Sequence, residues 1–125
     1  MAALKEIVVD SAHPASLARF WAAALDDYAV RAYDADEIAR LASLGLTTET
    51  DPTVMVDGPG PTLCFQKKPE PKTARNRIHL DLACEARHLE IDRLTALGAR
   101  VREHREGFSV LLDPEGNEFC VIDRR

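Results

Sequence analysis

Residues 5 to 12, KEIVVDSA, alternate between apolar and polar: Ile7 and Val9 fall on one face, Glu6, Val8 and Asp10 on the other. A period of two is the pattern of a strand. Pro14 follows and suits the first turn of a helix, with His13 or Ser16 near its start. Leu17, Phe20, Trp21, Ala24 and Leu25 then recur at helical spacing, one apolar stripe that predicts a helix to about Leu25 packed on a sheet. Trp21 and Phe20 lie in that stripe and are read as core, not as a ligand-stacking pair. YAVRAYD, 28–34, alternates weakly as a strand. The stretch 35–46 predicts a short helix, with Ile38, Leu41 and Leu44 three apart and Gly45 placed to cap it, and is read as a surface or dimer-packing helix. TVMVDGPGP gives a strand and a turn written in Gly and Pro. TLCFQKK, 62–68, is a strand with Leu63 and Phe65 on one face and Cys64 and Gln66 on the other. PEPKTARN is a polar loop whose prolines exclude regular structure.

The order then repeats. RIHLDLAC, 77–84, reads as a strand with Ile78, Leu80 and Leu82 apolar and His79 and Asp81 opposite them. Residues 86–99 predict a helix with Ile91, Leu94 and Leu97 inward and Gly98 at its end. RVREHR and FSVLLD (108–113) are strands, PEGN is a turn, and EFCVID (118–123) is a strand with Phe119 and Val121 opposite Glu118, Cys120 and Ile122. The chain is thus α+β, a duplicated βαβββ unit of about 60 residues. The first copy covers about 4–70 with an extra helix, the second about 75–125. IVVDSA echoes IHLDLA, and LCFQ echoes FCVI with Cys64 matching Cys120.

The length of 125 residues suits one domain. No apolar run reaches the roughly 20 residues of a membrane span, and the N-terminus lacks a signal-peptide pattern, so a cytoplasmic protein is expected. Three cysteines without a CxxC speak against a disulfide framework or a zinc knuckle and read as small buried hydrophobes. A net charge of -5 with scattered basic residues argues against a nucleic-acid partner and tolerates cationic or neutral small ligands.

VVDSAHPASLARFWAAAL, RNRIHLDLA, LTALGARV and LLDPEGNEFCVI together resemble the glyoxalase-like domain of the vicinal oxygen chelate superfamily, which also holds the bleomycin-resistance proteins and extradiol dioxygenases. The resemblance spans nearly the whole chain and is weakest over 28–57; His13 stands where members usually carry Asp. It implies two curved sheets with helices on their convex sides, a cleft between them, and a homodimer. Ile78, Leu80 and Leu82 would pack under a helix. Glu6, Val8, Asp10, Cys64, Gln66, His79, Asp81, Glu118 and Cys120 would face the cleft.

In metal-dependent members the ligands come from the first and last strand of each unit. The resemblance places His79 and Glu6 at such positions. Cys120 stands where those members carry Glu, Glu118 lies two residues away on the same face, and neither Cys64 nor Gln66 is the usual carboxylate. Two functions follow. The leading one is a metal-poor or metal-free protein that binds a small molecule against Asp10, Cys64, Gln66, Asp81 and Cys120. The alternative is a lyase, isomerase or dioxygenase with one divalent metal (Zn, Ni, Mn or Fe) on Glu6, His79 and Glu118. There Glu118 serves as ligand or general base, and a Cys120 contact would favour zinc. Asp10 and Asp81, if close, would form an acid–base pair. Solvated carboxylates and a self-satisfied His79–Asp cluster are the plainer readings.

Overall fold

Parity along the chain becomes pairing across it. The computed structural model describes residues 1–124 and contains, among them, β1 (Glu6–Ser11), α1 (Pro14–Ala24), β2 (Ala29–Val30), α2 (Ala35–Ser43), β3 (Thr53–Asp57), β4 (Thr62–Lys67), β5 (Leu80–Cys84), α3 (Arg87–Leu97), β6 (Arg100–Arg105), β7 (Phe108–Leu112) and β8 (Glu118–Asp123). They fall into two units, Met1–Pro71 and Lys72–Arg125. Each holds a four-stranded mixed sheet, in the orders β1-β4-β3-β2 and β5-β8-β7-β6. No helix is long and apolar enough to cross a membrane among the described residues.

In the first unit β1 runs parallel to β4, with Ile7 beside Leu63 and Val9 beside Phe65. Antiparallel β3 adds Val56 beside Leu63 and Val54 beside Phe65. This apolar face lies under α1, which packs on β2, β3 and β4 and buries Leu17, Ala18, Phe20, Trp21 and Ala24. Phe20 and Trp21 meet edge to face at 5.3 Å, as core residues. The Gly–Pro turn after β3 lies under Tyr28, whose hydroxyl donates to the Pro61 carbonyl at 3.0 Å. A Cβ on Gly58 would run into the Tyr28 ring, so that position needs glycine for the close approach.

The second unit repeats the plan. β5 runs parallel to β8, with Leu80 beside Phe119 and Leu82 beside Val121, and antiparallel β7 sets Leu111 against Phe119. α3 covers this face through buried Ile91 and Leu94. The DPEGN turn is built around Asp113, which is wholly buried. Its carboxylate accepts the N–H of Glu115 at 2.9 Å, the N–H of Asn117 at 3.0 Å and the Asn117 side-chain amide at 2.9 Å.

Four expectations are corrected. The strand over 77–84 begins only at Leu80, which pairs with Phe119, the second residue of β8; at the first, Glu118, the N–H goes to the Asn76 side chain instead. Ile78 therefore lies outside the sheet, 77% exposed, instead of under a helix. Leu97, expected inward, ends α3 at 39% exposure. YAVRAYD contributes only the two residues of β2. In α2, read as a surface or dimer-packing helix, only Leu41 is buried. Local chemistry still fixes the ends of α2: the Asp34 carboxylate accepts the Glu37 N–H at 2.8 Å, and Gly45 takes the left-handed conformation, φ 75°.

Candidate functional site

Side chains alternate along a strand, so each sheet has a second face that its helix does not cover. In the second unit Asp81 pairs with Cys120 on that open face. His79 stands just before β5 and brings Nε2 to 3.2 Å from Asp81 Oδ1. One donor atom each from His79, Asp81 and Cys120 lies within 4.8 Å of the other two. His79 and Asp81 are about half exposed, while Cys120 is partly buried. Burial pushes the Cys120 thiol above its ordinary range, and the neighbouring charge of Asp81, a hydrogen bond to it and the charge of Glu103 push the same way. An imidazole nitrogen, a carboxylate oxygen and a thiol fit a divalent metal of borderline softness, zinc above all. Binding would release the thiol proton, since only the thiolate is a ligand.

Glu118 shares this face but lies outside that group. Its carboxylate accepts the Asn76 N–H at 2.8 Å, Lys72 Nζ at 3.2 Å and Arg102 Nη1 at 3.5 Å, while the Asn76 side-chain oxygen accepts the Glu118 N–H at 3.2 Å. Burial alone would raise its pKa, but the hydrogen bonds from backbone N–H groups and Lys72 outweigh it and hold the carboxyl below its ordinary range. It is an ionised, anchored carboxylate and a weaker base than a free one. Lys72, Asn76 and Arg102 escaped the sequence reading. Nothing in their spacing marks them, because Lys72 and Asn76 lie in a loop and Arg102 lies at an irregularity of β6.

The other expected residues sit on the open face of the first sheet. Glu6 pairs with Thr62, Val8 with Cys64 and Asp10 with Gln66. Cys64 is 4% exposed. Burial, a hydrogen bond to Glu6 and the Glu6 charge push its thiol up to about 11. Asp10 and Gln66 are exposed. Arg31 clamps Asp57 through two bonds of 2.7 and 2.9 Å, and Thr62 Oγ1 donates to Asp57 at 2.8 Å. Of the expected site residues, the structure thus gathers His79, Asp81 and Cys120 into one group, and places Glu6 beside Cys64 in the first unit.

Two four-stranded mixed sheets of the order found here, each with a helix on one face, define a class of protein before any name does: paired βαβββ units with an open polar face. A family model for the glyoxalase-like domain matches residues 6–122. The chain belongs to this family, within the vicinal oxygen chelate superfamily. No curated protein matches it. Among solved structures, a hypothetical protein from S. aureus shares 11% identity with a TM-score of 0.68, covering 99% of this chain and 95% of that one. A glyoxalase/bleomycin resistance protein/dioxygenase family enzyme from Burkholderia phytofirmans shares 14% at TM-score 0.65, covering 98% of each. The fosfomycin resistance protein FosX from Listeria monocytogenes, in a variant complexed with Mn(II) and 1S,2S-dihydroxypropylphosphonic acid, shares 12% at TM-score 0.63, covering 98% of this chain and 90% of that one. At these identities the likeness is one of fold.

Proposed function

We propose that this protein binds a small oxygen-rich molecule on the open face of its second sheet, at a divalent metal held by His79, Asp81 and Cys120. The observation that carries the reading is the mutual approach of those three donor atoms, all within 4.8 Å, with His79 and Asp81 open to solvent. A metal there supplies Lewis acidity to substrate oxygens. The thiol in the donor set favours zinc, which has no redox chemistry. Lyase or isomerase chemistry therefore fits better than ring-opening oxidation. Asp81 holds His79 in place through their 3.2 Å contact and, after burial, is the next influence that raises the Cys120 thiol.

A second reading, metal-free binding of a small molecule on the same face, is favoured by that raised thiol pKa, since a protonated thiol is no ligand. One experiment separates the two. Tag-free protein is titrated with Zn2+ and its metal content measured, beside His79→Ala and Cys120→Ser. One equivalent, lost in both variants, supports the metal site. An absence of saturable zinc binding by the native chain sinks it and leaves the metal-free reading, to be pursued by ligand screening. Three free cysteines suit the reducing cytoplasm. Exposed Val8 on edge strand β1 and exposed Ile78 support self-association as a homodimer, checked by sedimentation over a range of concentrations.

A further inference from the structure

We infer that Lys72 and Arg102 form an oxyanion subsite beside the His79 group, so that the molecule this protein takes is a small anion. This deepens, and rests on, the function proposed above. Two cations and one backbone N–H converge on a single carboxylate, that of Glu118. An ammonium has three donors and a guanidinium five, and Glu118 engages one from Lys72 and one from Arg102. The remaining donors and the surplus positive charge are open to a second anion. Arg102 is about half exposed, and Lys72 is partly so.

The backbone brings Arg102 there. Val101 pairs with Leu111 and Glu103 with Val110, so β6 spends two steps where β7 spends one, and Arg102 is the extra residue of a bulge. Glu103 thereby falls in the row of Val110, Cys120 and Asp81, while Arg102 reaches Glu118 at 3.5 Å. The open face is polarised as a result. Asp81 stands beside Cys120 and Glu103 lies beyond Val110 in the same row, and Lys72 and Arg102 gather around Glu118 at the next. Glu118 and Cys120 are two residues apart on one strand face, about 7 Å. A carboxylate, phosphate or similar oxyanion group on the cations leaves a second oxygen of the same small molecule within reach of His79, Asp81 and Cys120. Glu118 draws both cations to one place and competes with an incoming anion for their donors. The chain as a whole carries a net charge of -5, so this cationic pair runs against its surroundings.

The test uses the full chain, first without metal. Binding of inorganic phosphate is followed by 31P NMR and calorimetry. The native protein is expected to bind one phosphate saturably. Lys72→Met and Arg102→Met should each weaken it at least tenfold, and Glu118→Gln, which removes the competing carboxylate, should tighten it several-fold. Phosphate binding that none of the three substitutions changes, or no saturable binding by either the native protein or Glu118→Gln, overturns the subsite. Phosphoglycolate is then titrated with and without one equivalent of Zn2+. Affinity that rises with zinc in the native chain, and falls in Arg102→Met while zinc content stays at one, ties the two groups to one ligand. Zinc failing to bind while phosphate still responds to Arg102→Met defeats the proposed metal site and leaves the anion subsite standing.

Discussion

The two sheets share one plan and differ in what their open faces leave unfinished. In the first, charges close on one another: Arg31 grips Asp57 with two bonds, Thr62 adds a third, and the buried Cys64 thiol is matched by Glu6. In the second, His79 and Asp81 are half exposed beside Cys120, and one carboxylate serves two cations. A duplicated scaffold supplies equivalent strands twice. Where pairing on the open face is incomplete, donors that are not fully used remain available to a ligand.

The largest expected effect tests whether the two cores are equivalent. Phe65 and Phe119 each lie on the helix-covered face of their own sheet, wholly buried between neighbouring strands. Phe65→Ala and Phe119→Ala should each cost about 3–5 kcal/mol in denaturant unfolding. A loss confined to one variant breaks the comparison.

The turns come next, and they differ in mechanism. Asp113→Ala strands three buried or half-buried donors and should cost about 3 kcal/mol. Gly58→Ala must displace the Tyr28 ring and should cost about 1–3 kcal/mol. Equal tolerance of both substitutions, read from thermal midpoints, would show that neither turn is fixed in the way its contacts imply.

Thiol chemistry sharpens the contrast between the open faces. At pH 8 iodoacetamide should alkylate Cys120 faster than Cys64, which is 4% exposed and whose thiol is pushed up to about 11. Asp81→Asn removes one of the influences that raise the Cys120 thiol and should speed its alkylation a few-fold. Mass-spectrometric rates on each cysteine check both expectations.

The smallest effect belongs to the open face of the first sheet. Arg31, and after it Thr62, hold the Asp57 carboxyl at about 2, below its ordinary 3.8. A depressed carboxylate adds stability that is full above the unfolded value and is lost as pH falls through the folded one. The Arg31–Asp57 contribution should therefore be complete above about pH 4 and disappear toward about pH 2. Partial exposure of both side chains limits it to about 1 kcal/mol or less. Asp57→Asn should flatten that limb of the stability profile; an unchanged acid limb contradicts the pairing.

Much of the scaffold was legible residue by residue. The alternation in β1, β4 and β8 predicts their faces, since period two is a local property of an extended chain. The α1 stripe predicts its buried side for the same local reason. The reading failed where a neighbour strand decides. Ile78 continues the alternation of Leu80 and Leu82, yet β8 offers it no partner and it lies exposed. His79 and Asp81 were singled out on their strand position, and Cys120 because it stands where metal-dependent members of the family carry Glu.

By its own pattern the sequence determines two βαβββ units, the covered face of each strand, and the residues able to bear chemistry on the other face. Only the tertiary structure decided their partners. Asp81 meets Cys120 through a parallel register between strands far apart in the chain, and Glu118 is claimed by Asn76 and Lys72, 42 and 46 residues earlier. Local spacing sets which way a side chain points. What it meets there depends on strand register and a bulge, and these follow from packing of the whole sheet.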